Sequence, residues 1–216
     1  VDSESSKKFI IDVKKIEKMI TKNTKAMVIP NLMGNMPEWN EIRKIADKYN
    51  LKVLEDSADV IGANYDNKKA GFFSDICITS FYGMHMINCA GNGGMILTSN
   101  EEYNNEAKLL RSWGRSSSLF VESEKVENRF NVYLDNIQYD AKFIFEKVGY
   151  MLEPSELGSA FGLEELKKLD SILEKRKNNA DSHLNFFKKY EDWLELPEMG
   201  EKVNSYWFAF PMIVKE

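Results

Sequence analysis

The chain has 216 residues, 43% hydrophobic and 29% charged, an ordinary globular composition with enough material for one domain or one and a half. Its net charge of −5 argues against a nucleic-acid surface, which needs clustered Lys and Arg, and no run of about 18 apolar residues offers a membrane span. No signal-peptide pattern is visible, and Cys77 and Cys89 are too few for a disulfide framework or a four-thiolate metal site, so a reducing, cytoplasmic setting is expected.

From the N-terminus, "FIIDVKKIEKMITKNTK" (9–25) has Val13, Ile16 and Ile20 at helical spacing. "AMVIP" (26–30) reads as a short buried strand ended by Pro30. "PEWNEIRKIADKYN" (37–50) reads as a helix with Pro37 in its first turn and Asn50 at its end. Strands follow at "LKVLED" (51–56), "DICITSF" (75–81) and "GMILTS" (94–99). "NEEYNNEAKLLRSWG" (100–114) is a helix that Asn100 can cap and Gly114 can stop. Residues 115–150 read as a long loop with one hairpin inside "ENRFNVYLDNIQYDAKFIF".

Pro154 opens a long helical pattern carried by Leu157, Phe161, Leu166, Leu169 and Leu173. It is expected to link a large domain (1–150) through a helix (151–184) to the start of a smaller one (185–216). The chain opens on Val1 and closes on the apolar run "SYWFAFPMIVKE", with nothing after it to pair with. The expectation is therefore a piece of a longer protein, without the N-terminal part and most of the C-terminal domain.

Strands alternating with helices predict an α/β fold, a mostly parallel sheet with helices on both faces. Ligands of such sheets sit at the carboxyl ends of the strands, where Asp56 and Ser80 lie. A carboxylate there needs a partner to offset desolvation, and a protonated heterocycle nitrogen is one. By position alone, a helix cap or a structural ion pair outweighs that reading. Ser80 suits a phosphate, a weak signal because serines end many strands. The "GNGG" patch (91–94) is not a G-x-G-x-x-G fingerprint and reads as a tight turn into the next strand. His85 lies just past a strand end. It can act as a general acid or base, though a half-buried loop histidine is the simpler reading of its position. His183 falls among polar residues and reads as surface.

Together, "VLEDSADVIGANYDNKKAGFFSDICITSFY", "GNGGMILTSNEE", "LLRSWGR" and "GYMLEPSELGSAFGLEELKKLD" resemble the DegT/DnrJ/EryC1/StrS sugar aminotransferase family over nearly the whole chain. These are fold-type I pyridoxal-phosphate enzymes of deoxysugar biosynthesis. The resemblance implies that Asp56 bonds the pyridine nitrogen and keeps it protonated, so the ring can accept electrons. It places Asp59 near the ring hydroxyl and Ser80 at the cofactor phosphate. Most members carry, five residues past that serine, the lysine that holds the cofactor as a Schiff base. This chain has His85 there.

One branch of the family shares that replacement: 3-dehydratases of nucleotide-linked 4-keto-6-deoxyhexoses, in lipopolysaccharide O-antigen and related pathways. They hold pyridoxamine phosphate without a covalent bond, and their histidine moves the proton as the C3 hydroxyl leaves. Some members add an iron–sulfur cluster through cysteines after "WGR". Here "SSSLFVESEK" follows Arg115, so no iron–sulfur cluster and no metal are expected. The other members regenerate pyridoxamine from L-glutamate. Two positions depart from the family pattern. Met151 replaces an asparagine that reaches the neighbouring subunit's cofactor phosphate, and a thioether cannot donate a hydrogen bond. Asn92 replaces a glutamate.

The resemblance thus implies a lyase that takes a nucleotide sugar and L-glutamate, working as a homodimer without nucleic acid or membrane partners. A nucleotide-sugar aminotransferase that works without the lysine is the alternative, and a non-catalytic degenerate fragment is a third reading.

Overall fold

The computed structural model describes residues 7–215. They form two compact units, one of residues 7–97 with 156–215 and one of Thr98–Ser155.

In the first unit, helix α1 (Val13–Met19) starts at Asp12, whose Oδ1 accepts from the Lys14 amide at 3.1 Å, an N-cap. The helix is shorter than the apolar spacing suggested, and Ile16 is its buried residue. Strand β1 (Ala26–Pro30) follows. Helix α2 (Trp39–Lys48) buries Trp39, Ile42 and Ala46, one stripe at helical spacing. Pro37 lies just ahead of this helix. Asn50, with φ +50, turns the chain out of it in the left-handed region that asparagine tolerates. Strand β2 (Lys52–Asp56) leads into the small β3 (Asn64–Tyr65) and β4 (Lys68–Lys69), and then β5 (Ile76–Ser80) and β6 (Gly94–Leu97).

The main sheet has the order β1-β2-β5-β6. β1–β2 and β2–β5 are parallel, and β6 closes the row antiparallel to β5, so the sheet is mixed. Its two faces differ. Met27, Ile29, Val53, Glu55 and Cys77 point to one side and are buried; Met27, Ile29 and Val53 join Ile16, Trp39 and Ile42 in the core. Val28, Leu54, Asp56, Ile78 and Ile96 alternate to the other side. There Val28 is 65% exposed and Ile96 56%.

The second unit opens with helix α3 (Glu101–Arg111), capped by Asn100, whose side chain accepts from the Tyr103 amide at 3.0 Å. Gly114 follows at φ +81. A Cβ there would lie 1.9 Å from the Lys147 carbonyl oxygen, so only glycine fits. A short helix α4 (Val126–Arg129) precedes the expected hairpin, β7 (Val132–Leu134) and β8 (Ile137–Tyr139). Asp135 and Asn136 both have positive φ, the signature of a two-residue type I′ turn. Met151 is exposed and bridges to Ser112.

Back in the first unit, the helical pattern after Pro154 becomes two helices, α5 (Glu156–Leu166) and α6 (Leu169–Phe187). The apolar spacing pointed to Leu157 and Phe161 as the packed side of α5. Instead both are exposed, Leu157 by 85%, and Gly158 and Gly162 are buried. The cause is closeness: a Cβ on Gly162 would come 2.5 Å from Cys89 Sγ, so the packed side must be the glycine side. Leu173 of α6 is buried and packs on Gly62, as its spacing predicted. β9 (Leu194–Glu195) pairs with β11 (Ile213–Val214), and β10 (Val203–Asn204) with β3. The terminal apolar run therefore pairs backwards. His183 is exposed, against Phe187 and Phe210.

Candidate active site

Asp56 and Ser80 reach the carboxyl edge of the sheet on neighbouring parallel strands. Asp56 pairs with Ile78, so Ser80 lies two residues further along β5 and points to the same face, the open one. Asp56 Oδ1 accepts from the Ala58 amide at 3.1 Å, a local turn that fixes its side chain. Among the described residues, Oδ2 takes no hydrogen bond. Ser80 Oγ accepts from the Tyr82 amide at 3.2 Å, and its own proton is uncommitted among the described residues.

The turn after β5 then brings in His85. The Phe81 amide donates to Gly93, Gly83 to Gly91, and His85 to Tyr82. The "GNGG" patch is thus a turn into β6, as expected, and it shapes the loop that holds the histidine. His85 Nδ1 lies 2.8 Å from the Ala58 carbonyl oxygen. A carbonyl only accepts, so Nδ1 carries a proton, and in the neutral ring Nε2 is the nitrogen with the lone pair. The ring sits 5.3 Å from Phe208, tilted by 32°, with Tyr82 edge-on at 6.4 Å.

Asp59 lies beside it. Its Oδ1 is 3.9 Å from His85 Nδ1, and its Oδ2 accepts from the Met33 amide at 3.1 Å. Burial pushes the Asp59 carboxyl above the ordinary aspartate value. The Met33 N–H and the His85 imidazole pull it back, and the Asp56 charge adds to the rise.

The four residues singled out in the sequence therefore gather at one strand edge. Among the described residues they leave half-buried groups of complementary kinds: an uncommitted carboxylate oxygen, a hydroxyl proton and an imidazole nitrogen. Two surface clefts of about 390 and 460 Å³ lie elsewhere, and neither is lined by any of the four.

Sequence reasoning missed the residue beneath them. Glu55, 1% exposed, accepts four hydrogen bonds: Asn31 Nδ2 (2.9 Å) and Ser57 Oγ (2.8 Å) on Oε1, and the Gly71 amide (2.9 Å) and Ser74 Oγ (3.0 Å) on Oε2. Asn31 in turn accepts from Trp39 Nε1 at 2.9 Å. This network ties the ends of β1 and β2 together. The only signal was that β2 ends on two carboxylates. Phe208 gave none, because it comes from a distant stretch of the chain.

The sequence profile of the DegT/DnrJ/EryC1/StrS aminotransferase family matches residues 1–216. The chain belongs to that family. Among the family's curated members, it is 34% identical over 209 residues to the lipopolysaccharide biosynthesis protein RfbH of Salmonella typhimurium, covering 95% of this chain and 48% of that one. It is 32% identical over 207 residues to GDP-4-keto-6-deoxy-D-mannose 3-dehydratase of Escherichia coli O55:H7, covering 95% and 51%. A crystal structure of GDP-4-keto-6-deoxymannose-3-dehydratase with a trapped PLP-glutamate geminal diamine superposes with a TM-score of 0.83 at 29% identity, covering 99% of this chain and 53% of that one. The fold is thus the fold-type I, PLP-dependent transferase-like fold expected from the motifs. The chain spans about half the length of the curated relatives it matches.

Proposed function

We propose that the protein of which this chain is part is a pyridoxamine phosphate-dependent 3-dehydratase. Its substrate would be a nucleotide-linked 4-keto-6-deoxyhexose, in deoxysugar or lipopolysaccharide O-antigen biosynthesis. The observation that carries the reading is His85: an imidazole with a bare Nε2 where most of the family has its cofactor-holding lysine. The likeness to two proteins named for 3-dehydration and lipopolysaccharide synthesis supports it.

The open groups fit the cofactor. Asp56 Oδ2 can accept from a protonated ring nitrogen, and the Ser80 hydroxyl can donate to a phosphate oxygen. When bound, pyridoxamine phosphate supplies an amine for the sugar's C4 ketone and an electron-accepting ring. Asp56 would hold the positive ring nitrogen by charge, and Asp59 would offer a carboxyl to the ring hydroxyl. His85 Nε2 takes a proton and returns one as the C3 hydroxyl departs as water. An imidazole does this without forming a covalent bond to a carbonyl, as a lysine amine does.

L-Glutamate is the proposed amino donor, consistent with the glutamate adduct named in the related structure. The reading includes a cytoplasmic homodimer. Among the described residues no helix is long and apolar enough to cross a membrane. It also keeps residues 1–150 as part of the large domain, 151–184 as the link and 185–216 as the start of a small domain.

The test is reduction of the full-length protein with borohydride after loading with pyridoxal phosphate, with and without L-glutamate. No covalent cofactor mass and glutamate-dependent conversion to the pyridoxamine form are expected. A covalent adduct would instead favour the aminotransferase reading that the family name suggests. Substitution His85→Asn should lower dehydration by about a hundredfold or more while cofactor binding persists.

A further inference from the structure

Four segments distant in sequence close a ring of contacts around His85. Asp59 accepts from the Met33 amide, and the Met33 carbonyl accepts from the Phe208 amide at 3.0 Å. The Phe208 ring lies against His85 at a tilt of 32°, and His85 Nδ1 comes back to Ala58 and Asp59. Met33 holds a φ of +58, a conformation uncommon for a side chain of its size and found where surrounding structure imposes it. Phe208 is itself pinned from behind. Arg176 Nη1 donates to its carbonyl at 2.9 Å and to that of Trp207 at 3.3 Å, with the guanidinium 5.5 Å from the Phe208 ring.

A hydrogen bond to Ala58 selects the tautomer of His85, but one bond leaves the ring free to rock about its Cβ–Cγ axis. The Phe208 ring packed against it removes that freedom. We infer that Phe208 is a positioning residue for His85: it holds the imidazole in the plane where Nδ1–H is given to Ala58 and Nε2 faces outward as the base. The inference deepens the proposed function and rests on it only for the use made of Nε2. The tautomer and the ring contact are properties of the protein alone. Neutral histidine in water prefers its proton on Nε2, so the arrangement is the less common one and is diagnostic.

The experiment is nitrogen NMR of the full-length protein labelled with heavy nitrogen in histidine, above about pH 8, where an ordinary imidazole is neutral. The His85 signals are those missing from His85→Asn. Expected is a proton-bearing Nδ1 and a bare Nε2. Phe208→Leu keeps the half-buried position apolar but removes the ring. It should move both nitrogens toward the averaged solution values and slow sugar dehydration about tenfold with KM for the sugar unchanged. Phe208→Tyr, which keeps the ring, should retain the wild-type shifts and rate. A wild-type His85 protonated on Nε2, or Phe208→Leu shifts identical to wild type, overturns the inference. Shifts that respond as stated in a protein that dehydrates no 4-keto-6-deoxy sugar support the positioning role and overturn the proposed function instead.

Discussion

Glu55 and Asp56 are adjacent carboxylates on one strand, and they meet opposite fates. Glu55 points into the closed face of the sheet and is fully engaged by four donors. Asp56 points to the open face, fixed through one oxygen by Ala58, with the other oxygen unused among the described residues. Strand alternation alone separates them. A buried carboxylate with every lone pair occupied is structure, whereas a partly exposed one with a vacant acceptor is available for chemistry. The same division runs along the sheet. Cys77, on the closed face, has its thiol pushed by burial up to about 11, which keeps it protonated and unreactive at neutral pH. Ser80, two strand positions from Ile78 on the open face, keeps a free hydroxyl proton among the described residues.

The sharpest way to break this comparison is to remove each charge in turn. On the proposed function, Asp56→Asn should lower turnover by about a hundredfold or more, as loss of a preorganised charge does, and weaken cofactor binding followed by its absorbance. Its thermal stability should move little, because the residue is not buried. Glu55→Leu should do the reverse. Four donors lose their acceptor, so the protein should lose about 3 kcal/mol or more in chemical denaturation, and Glu55→Gln should recover part of it. A Glu55→Gln variant that keeps its stability but loses cofactor would mean that the two carboxylates share one task.

Asp59 sits on the boundary, and its effect should be the smallest. Its pKa in the folded state is raised, chiefly by burial. The folded protein therefore binds that proton more tightly than the unfolded chain does. Stability from this group is present at acid pH and is lost as pH rises through the folded pKa. Asp59→Asn should match the wild type in denaturation at acid pH and be modestly more stable at neutral pH. A neutral-pH stability below that of the wild type would show that the charge has a stabilising partner in the fold, with His85 the one at hand.

Some of this was legible in residue order because the forces are local. Asn100 caps α3 through its own side chain, Gly114 ends it where a Cβ has no room, and Asp135–Asn136 make a turn that their backbone tolerance permits. The strands at 26–30, 52–56, 76–80 and 94–97 announced themselves as short apolar runs between breakers. Asp56, Asp59, Ser80 and His85 could be chosen because chemistry concentrates at strand ends and because their motifs match a family.

What residue order alone could not decide was orientation and partnership. The packed side of α5 is made by Gly158 and Gly162, and its leucines face outward, because close approach to Cys89 outweighs apolar spacing. The antiparallel direction of β6, the hydrogen-bonded burial of Glu55 and the placing of Phe208 against His85 each join residues far apart in the chain. The sequence by itself determined the main strands and helices, through capping, turn geometry and periodicity, while its family motifs pointed to Asp56, Asp59, Ser80 and His85. Only the tertiary structure decided which carboxylate is buried and which nitrogen of His85 is bare, because both depend on what the folded chain brings within hydrogen-bond reach.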